Sequence, residues 1–98
     1  MTINPKRDME NLTIAIEGRL DTITAPELEK VINEQTDGIN QLTIDMDGLD
    51  YVSSAGLRVL LAAQKKFARL GGLKVKNVCS DVLEVFDMTG FKDILDIE

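Results

Sequence analysis

Ser53 and Ser54 stand where the strand-type residues Leu49-Asp50-Tyr51-Val52 give way to the amphipathic helical pattern that opens with Ala55-Gly56-Leu57. A hydroxyl at a helix start lies beside backbone N–H groups without intrahelical partners and beside the positive end of the macrodipole. It can cap the helix or present an anion. A nucleophilic serine needs a base, and the chain has no histidine. A nucleophile elbow also needs a small residue two positions before the serine, where Val52 stands ahead of Ser54. No lysine sits in a motif that would complete a serine–lysine dyad, so hydrolysis by this chain is not expected. What remains is a pair in which one serine caps the helix and the other is open to phosphorylation, which adds about −1.5 to −2 charge at that point.

Other constellations resolve into ordinary structure. Asp45-Met46-Asp47-Gly48-Leu49-Asp50 is acidic, but calcium-loop positions one, three, five, six and twelve would fall on Asp45, Asp47, Leu49, Asp50 and Gly56. That spacing does not make a metal site, and Asp47-Gly48 reads as a turn. Neither dinucleotide-binding nor Walker glycine pattern occurs, and Gly71-Gly72 follows a helix instead of opening one. No metal and no cofactor is expected. Cys79 is the single cysteine, without a second thiol or a histidine for zinc, and reads as core filler.

The elements that must hold the serines follow from periodicity. Leu12, Ile14 and Ile16 alternate with Thr13, Ala15 and Glu17 in a strand that Gly18 is expected to end. Residues 2–7 pair with it as a hairpin through Asp8-Met9-Glu10-Asn11, and Pro5 restricts them to an edge. Thr24-Ala25-Pro26-Glu27 has the form of a capping box, and Leu28, Val31, Ile32 and Gln35 continue as one helical stripe until Asp37-Gly38. Leu42-Thr43-Ile44-Asp45-Met46 alternates again and is expected to stop at Asp47-Gly48. The longest helix carries Leu57, Leu60, Leu61, Gln64, Phe67 and Ala68 on its inner face and ends at Gly71-Gly72. Leu73 and Val75 alternate in a short strand. A helix with Asp81 and Glu84 as cap and return follows and closes at Gly90. Ile94 to Ile97 fits a short strand or a helical turn. Strands separated by helices imply right-handed crossovers and an α/β fold with a small mixed β-sheet.

With 98 residues and 44% hydrophobic content, one domain over residues 1–98 is expected. No apolar run approaches the ~20 residues needed to cross a bilayer, and Met1 to Arg7 lack the apolar stretch of a secretory signal. A cytoplasmic protein without membrane insertion is expected. The net charge of −6, from 17 acidic against 11 basic residues, opposes binding to nucleic acid. Lys65, Lys66 and Arg69 read as a solvated helix face.

Tyr51-Val52-Ser53-Ser54-Ala55-Gly56-Leu57 resembles the motif of STAS domains, in particular the bacterial anti-sigma factor antagonists. Three further pieces agree in order: Gly18-Arg19-Leu20-Asp21 is similar to that family's Gly-x-Leu-Asp turn, Gly71-Gly72 to its glycine pair, and Val85-Phe86-Asp87-Met88-Thr89-Gly90 to its late Leu-Phe-Asp-Met-Ser-Gly. The resemblance implies a STAS fold with helices after Gly-x-Leu-Asp, after Ser53-Ser54 and near the C-terminus. It also implies a non-enzymatic antagonist whose unphosphorylated form binds an anti-sigma factor serine kinase and frees the sigma factor. Phosphorylation at Ser54 would switch that binding off, with Ser53 as the reserve position, and a PP2C-type phosphatase would act on the phosphorylated form. Family members often carry aspartate where this chain has Ser53. Asp21, Ser53, Ala55 and Gly56 are then expected to border the modified residue and the partner, Asp21 either orienting the hydroxyl or opposing the added phosphate, or else serving as a turn residue. The alternative within the same resemblance is a constitutive scaffold or accessory subunit of a stress-signalling or lipid-transport complex.

Overall fold

A computed structural model describes all residues from Met1 to Glu98. The hairpin expected at the start is present: β1 (Thr2–Asp8) runs antiparallel to β2 (Asn11–Leu20) and forms the sheet edge, with Pro5 opposite Ile14. Three parallel strands follow across the sheet: β3 (Gln41–Val52), β4 (Leu73–Lys76) and the two-residue β5 (Asp96–Ile97). The order β1-β2-β3-β4-β5 places each new strand beside the last. The connections are α1 (Ala25–Gln35), α2 (Ser54–Phe67) and α3 (Ser80–Met88), the last followed by a 3₁₀ turn at Phe91–Asp93. Within Ile94 to Ile97 the short strand is therefore the form adopted, and the helical turn precedes it at Phe91–Asp93.

Right-handed crossovers that always step the same way across a sheet put every helix on one face. Burial agrees with that arrangement. Leu12, Ile14, Ile16, Leu42, Ile44, Met46, Leu73 and Val75 point beneath the helices and are almost wholly buried. The alternate residues Thr13, Ala15, Thr43, Asp45, Lys74 and Lys76 form a polar, half-buried opposite face. The helices complete the core with Leu28 and Ile32 from α1, Leu57, Val59, Leu60, Ala63 and Phe67 from α2, and Val82 and Phe86 from α3. Val59 and Ala63 lie outside the stripe expected for α2 because its inward face spans more than one row of contacts, and Gln35 of α1 is exposed. Cys79 is half-buried against the core, its thiol donating to the Leu49 carbonyl at 3.4 Å.

Several local expectations are corrected, and two of them shape the serine junction. Gly18 does not end β2: with φ +104° it carries the strand on to Leu20. Asp47-Gly48 is not a turn, and β3 continues through it. The pairing steps from Ala15 opposite Asp45 to Glu17 opposite Gly48, and then from Gly18 opposite Leu49 to Arg19 opposite Tyr51. Each step leaves one extra residue on β3, the arrangement of a β-bulge. The inward residues therefore run Leu42, Ile44, Met46 and then Leu49 and Val52, the spacing widening from two to three. Gly48 is required at the first bulge, since a Cβ there would come within 2.5 Å of the Glu17 Cγ and 3.3 Å of its Cα.

The remaining corrections are at helix termini. Thr24 precedes α1 with no side-chain cap, because its hydroxyl donates to the Arg19 carbonyl at 2.6 Å and accepts from the Asp21 N–H at 2.8 Å. Glu27 accordingly has no reciprocal capping partner there. Cys79, not Asp81, precedes α3, and no side chain caps it, so the Asp81–Glu84 cap and return is absent. Gly90 at φ +81° directly follows the Thr89 C-cap of α3, as expected, but α2 ends at Phe67 with the exposed Ala68 as a right-handed C-cap, and the left-handed Gly72 (φ +94°) comes only after a further turn, its N–H donating to the Phe67 carbonyl at 3.0 Å.

Candidate functional site

Parallel pairing between β2 and β3 brings Leu20 opposite Val52, so the two strands end side by side. The ladder is extended by one bond from the Ser53 N–H to the Leu20 carbonyl at 2.8 Å. Ser53 therefore leaves the strand still extended, at φ −97° and ψ 175°, which is the backbone geometry of a helix N-cap. Its hydroxyl accepts from the Gly56 N–H at 3.4 Å, and its carbonyl accepts from the Leu57 N–H at 2.9 Å. Ser53 is half-buried.

Ser54 is the first residue of α2 and is exposed. The two serines thus separate into a cap and a free hydroxyl, a division their residue types left open. Gly56 explains how closely α2 descends on the strand ends. A Cβ at this buried position would lie 2.7 Å from the Leu20 Cγ, 2.9 Å from its Cδ2 and 3.0 Å from the Val52 Cγ2. Glycine lets the first turn of α2 rest directly on Leu20, while Ala55 is half-buried beside it.

Asp21 follows Leu20, and its carboxylate builds the turn into α1. Its Oδ1 accepts from the Ile23 N–H and the Thr24 N–H, each at 3.0 Å, with the Thr24 hydroxyl at 3.1 Å. Asp21 makes no hydrogen bond to either serine; it stands at the same end of the sheet but is committed to its own loop. The Thr24 N–H is the main influence holding its carboxyl below the ordinary value of 3.8. Partial desolvation opposes that effect, and the Ile23 N–H, the Thr24 hydroxyl and the Arg19 cation add to it.

A carboxylate whose folded pKa is depressed adds stability that is fully present above its unfolded value. That contribution is lost as pH falls through the folded pKa. NMR titration of Asp21 should give a midpoint below 3.8, and denaturant melts between about pH 5 and pH 2 should show Asp21→Asn losing stability less steeply than the parent. Equal acid slopes would contradict this role.

The turn held by Asp21 displays Ile23, which is 80% exposed. At the ends of β2 and β3 the Arg19 guanidinium lies 4.0 Å from the centre of the Tyr51 ring, the cross-strand pair set up by the second bulge. Sequence reading assigned no role to Ile23, Arg19 or Tyr51. Cross-strand stacking depends on register, and register here depends on the bulges. Arg58, four residues after Ser54, likewise belongs to none of the sequence motifs. It lines a cleft of about 200 Å³ between α1 and α2 with Thr22, Pro26, Glu29 and Ala55.

No cluster of metal-ligating side chains is present, and no helix is long and apolar enough to cross a membrane. The arrangement is a small mixed α/β sheet whose strand ends present a capped helix start and an exposed serine. Residues 2–98 match the STAS domain model, and the chain belongs to the STAS domain family. It is 32% identical over 99 residues to the anti-sigma-B factor antagonist of Bacillus subtilis (strain 168), covering 99% of this chain and 90% of that protein. An anti-sigma factor antagonist from Mycobacterium paratuberculosis shares the fold with a TM-score of 0.88 at 24% identity, over 98% of this chain and 83% of that one. The Bacillus cell fate determinant SpoIIAA in its phosphorylated form superposes with a TM-score of 0.76 at 15% identity, over 99% of this chain and 91% of that one.

Proposed function

We propose that this chain is an anti-sigma factor antagonist: a binding module whose unmodified surface around Ser54 docks on an anti-sigma factor serine kinase and releases the sigma factor. Phosphorylation of Ser54 ends that contact, and a PP2C-type phosphatase restores it. The observation that carries this reading is the division of labour at the junction, with Ser53 engaged as the N-cap and Ser54 exposed with its hydroxyl available. Likeness to an anti-sigma-B factor antagonist along nearly the whole chain supports the partner class. The chain acts here as substrate and ligand, its serine lacking the histidine that a hydrolase would use.

The helix start suits a reversible modification. A phosphate at Ser54 sits at the positive end of the α2 macrodipole, so its charge is tolerated locally while it alters the docking surface. Incubation with ATP and the cognate anti-sigma kinase, followed by peptide mass spectrometry, should locate one phosphate on Ser54. It should persist in Ser53→Ala and vanish in Ser54→Ala. Phosphate absent, or confined to sites far from this junction, would refute the switch. Binding that ignores the state of Ser54 would favour the constitutive scaffold.

A further inference from the structure

Arg58 is an arginine with no assigned work. The chain's ion pairs are Lys30–Glu34 and Lys74–Glu98, and Arg58 enters neither. Arg19, at the end of β2, is engaged over the Tyr51 ring, and Lys66, in the last turn of α2, through its Nζ on the Thr36 hydroxyl at 2.8 Å. Arg58 is exposed on α2, four residues beyond Ser54. Positions four apart on a helix are neighbours, with Cβ atoms about 5–6 Å from one another. A serine phosphate and an arginine in that relation are within reach, and the guanidinium fork matches phosphate oxygens in a bidentate way.

We infer that Arg58 is the intrachain partner of a phosphate on Ser54 and swings out of the α1–α2 cleft to bind it. The inference rests on the reading of Ser54 as the modified residue. Charged groups also stand on the adjoining elements. On α1, Glu29 shares the cleft with Arg58 without forming an ion pair to it. At the end of β2, Asp21 has its Oδ1 held by the Ile23 and Thr24 N–H groups, and Arg19 is stacked on Tyr51. At the end of β3, Asp50 is exposed at the second bulge. Arg58 is thus the uncommitted cation of the site.

The consequence reaches beyond the phosphate. Unmodified, the cleft beside Ser54 shows a cation and an anion, Arg58 and Glu29. Once Arg58 turns to the phosphate, Glu29 is the charge left in the cleft. Phosphorylation therefore changes the docking surface at two points, adding an anion at Ser54 and withdrawing a cation one helical turn away.

The test places phosphoserine at position 54 during translation, so that no kinase is required, in the parent, Arg58→Gln and Arg58→Lys chains. Phosphorus-31 NMR then follows the second ionisation of the phosphate, near pH 6 for an ordinary phosphoserine. The midpoint in the parent should lie at least about half a unit below that in Arg58→Gln, a roughly threefold difference in proton affinity. Arg58→Lys should recover part of the shift. The helix dipole acts equally in all three chains and cancels from the comparison. A difference smaller than half a unit overturns the inference. Because the phosphate is installed without a kinase, failure here leaves the phosphate-mapping experiment untouched, and failure of that experiment leaves this one standing.

Discussion

Ser54→Asp will bind the anti-sigma kinase at least about tenfold more weakly than the parent chain, a loss of about 1.4 kcal/mol or more. The hydroxyl that it replaces is exposed at the first position of α2, so the added carboxylate enters the proposed docking surface without disturbing the core. An anion trapped in an interface without a partner has a penalty of about 2–5 kcal/mol, and a phosphate with up to twice the charge has more. The protein already carries −6, so one more solvated negative charge changes little, and the added charge is harmful where it is desolvated. Position therefore decides the effect. Ser54→Ala removes a hydroxyl and no charge, and its affinity should stay within about threefold of the parent.

Calorimetry or interferometry on the two variants at one ionic strength measures the difference. Equal affinities for Ser54→Asp and Ser54→Ala would remove the basis of the switch. Ser53 supplies the control for folding. Its hydroxyl caps α2 through the Gly56 N–H, so Ser53→Ala should lower stability by about 1 kcal/mol while leaving the Ser54 surface in place.

The residues that revealed the fold and those that concealed part of the site differ in how far their structure depends on distant partners. Leu12-Thr13-Ile14-Ala15-Ile16 and Leu42-Thr43-Ile44-Asp45-Met46 alternate because one sheet face meets helices and the other does not, and that pattern survives in a single sequence. Gly90 is equally legible, because a left-handed residue after a helix is a local requirement. The Ser53-Ser54 junction could be found, but its division into cap and free hydroxyl could not. That division is settled by the bond from the Ser53 N–H to Leu20, a residue more than thirty positions away.

Asp47-Gly48 shows the limit most clearly. In isolation the dipeptide favours a turn, yet β2 continues beside it in parallel register and offers partners on both sides, so the extra residues become bulges. Those bulges then set which way Tyr51 and Val52 face. Thr24 departs from the capping-box pattern for a similar reason, since the carbonyl of Arg19 captures the hydroxyl that would have capped α1. Sequence motifs identified the family because they record which residues are used. Their hydrogen bonds needed the assembled sheet.

The contact between Leu20 and Gly56 carries the second large expectation. Leu20 is fully buried at the end of β2, and Leu20→Ala should lower stability by about 2–5 kcal/mol through lost burial and the cavity left behind. Gly56→Ala gains about 1 kcal/mol of helix propensity but drives a methyl to within 2.7 Å of the Leu20 Cγ, and overpacking of this kind costs about 1–3 kcal/mol. Leu20 cannot yield easily, because the Val52 Cγ2 blocks the same space at 3.0 Å from the new atom. The single change should therefore destabilise the domain and tilt the first turn of α2, which carries Ser54. With Leu20 already shortened, the methyl of Gly56→Ala enters vacated volume and the helix propensity is gained without the clash. The second substitution should then be neutral or stabilising, giving a coupling of at least about 1 kcal/mol in a double-mutant cycle followed by urea denaturation. Additive effects would mean that Gly56 is glycine for some reason other than the approach of α2 to β2. In that event the placement of Ser54 would have to be attributed to the Ser53–Leu20 backbone bond alone.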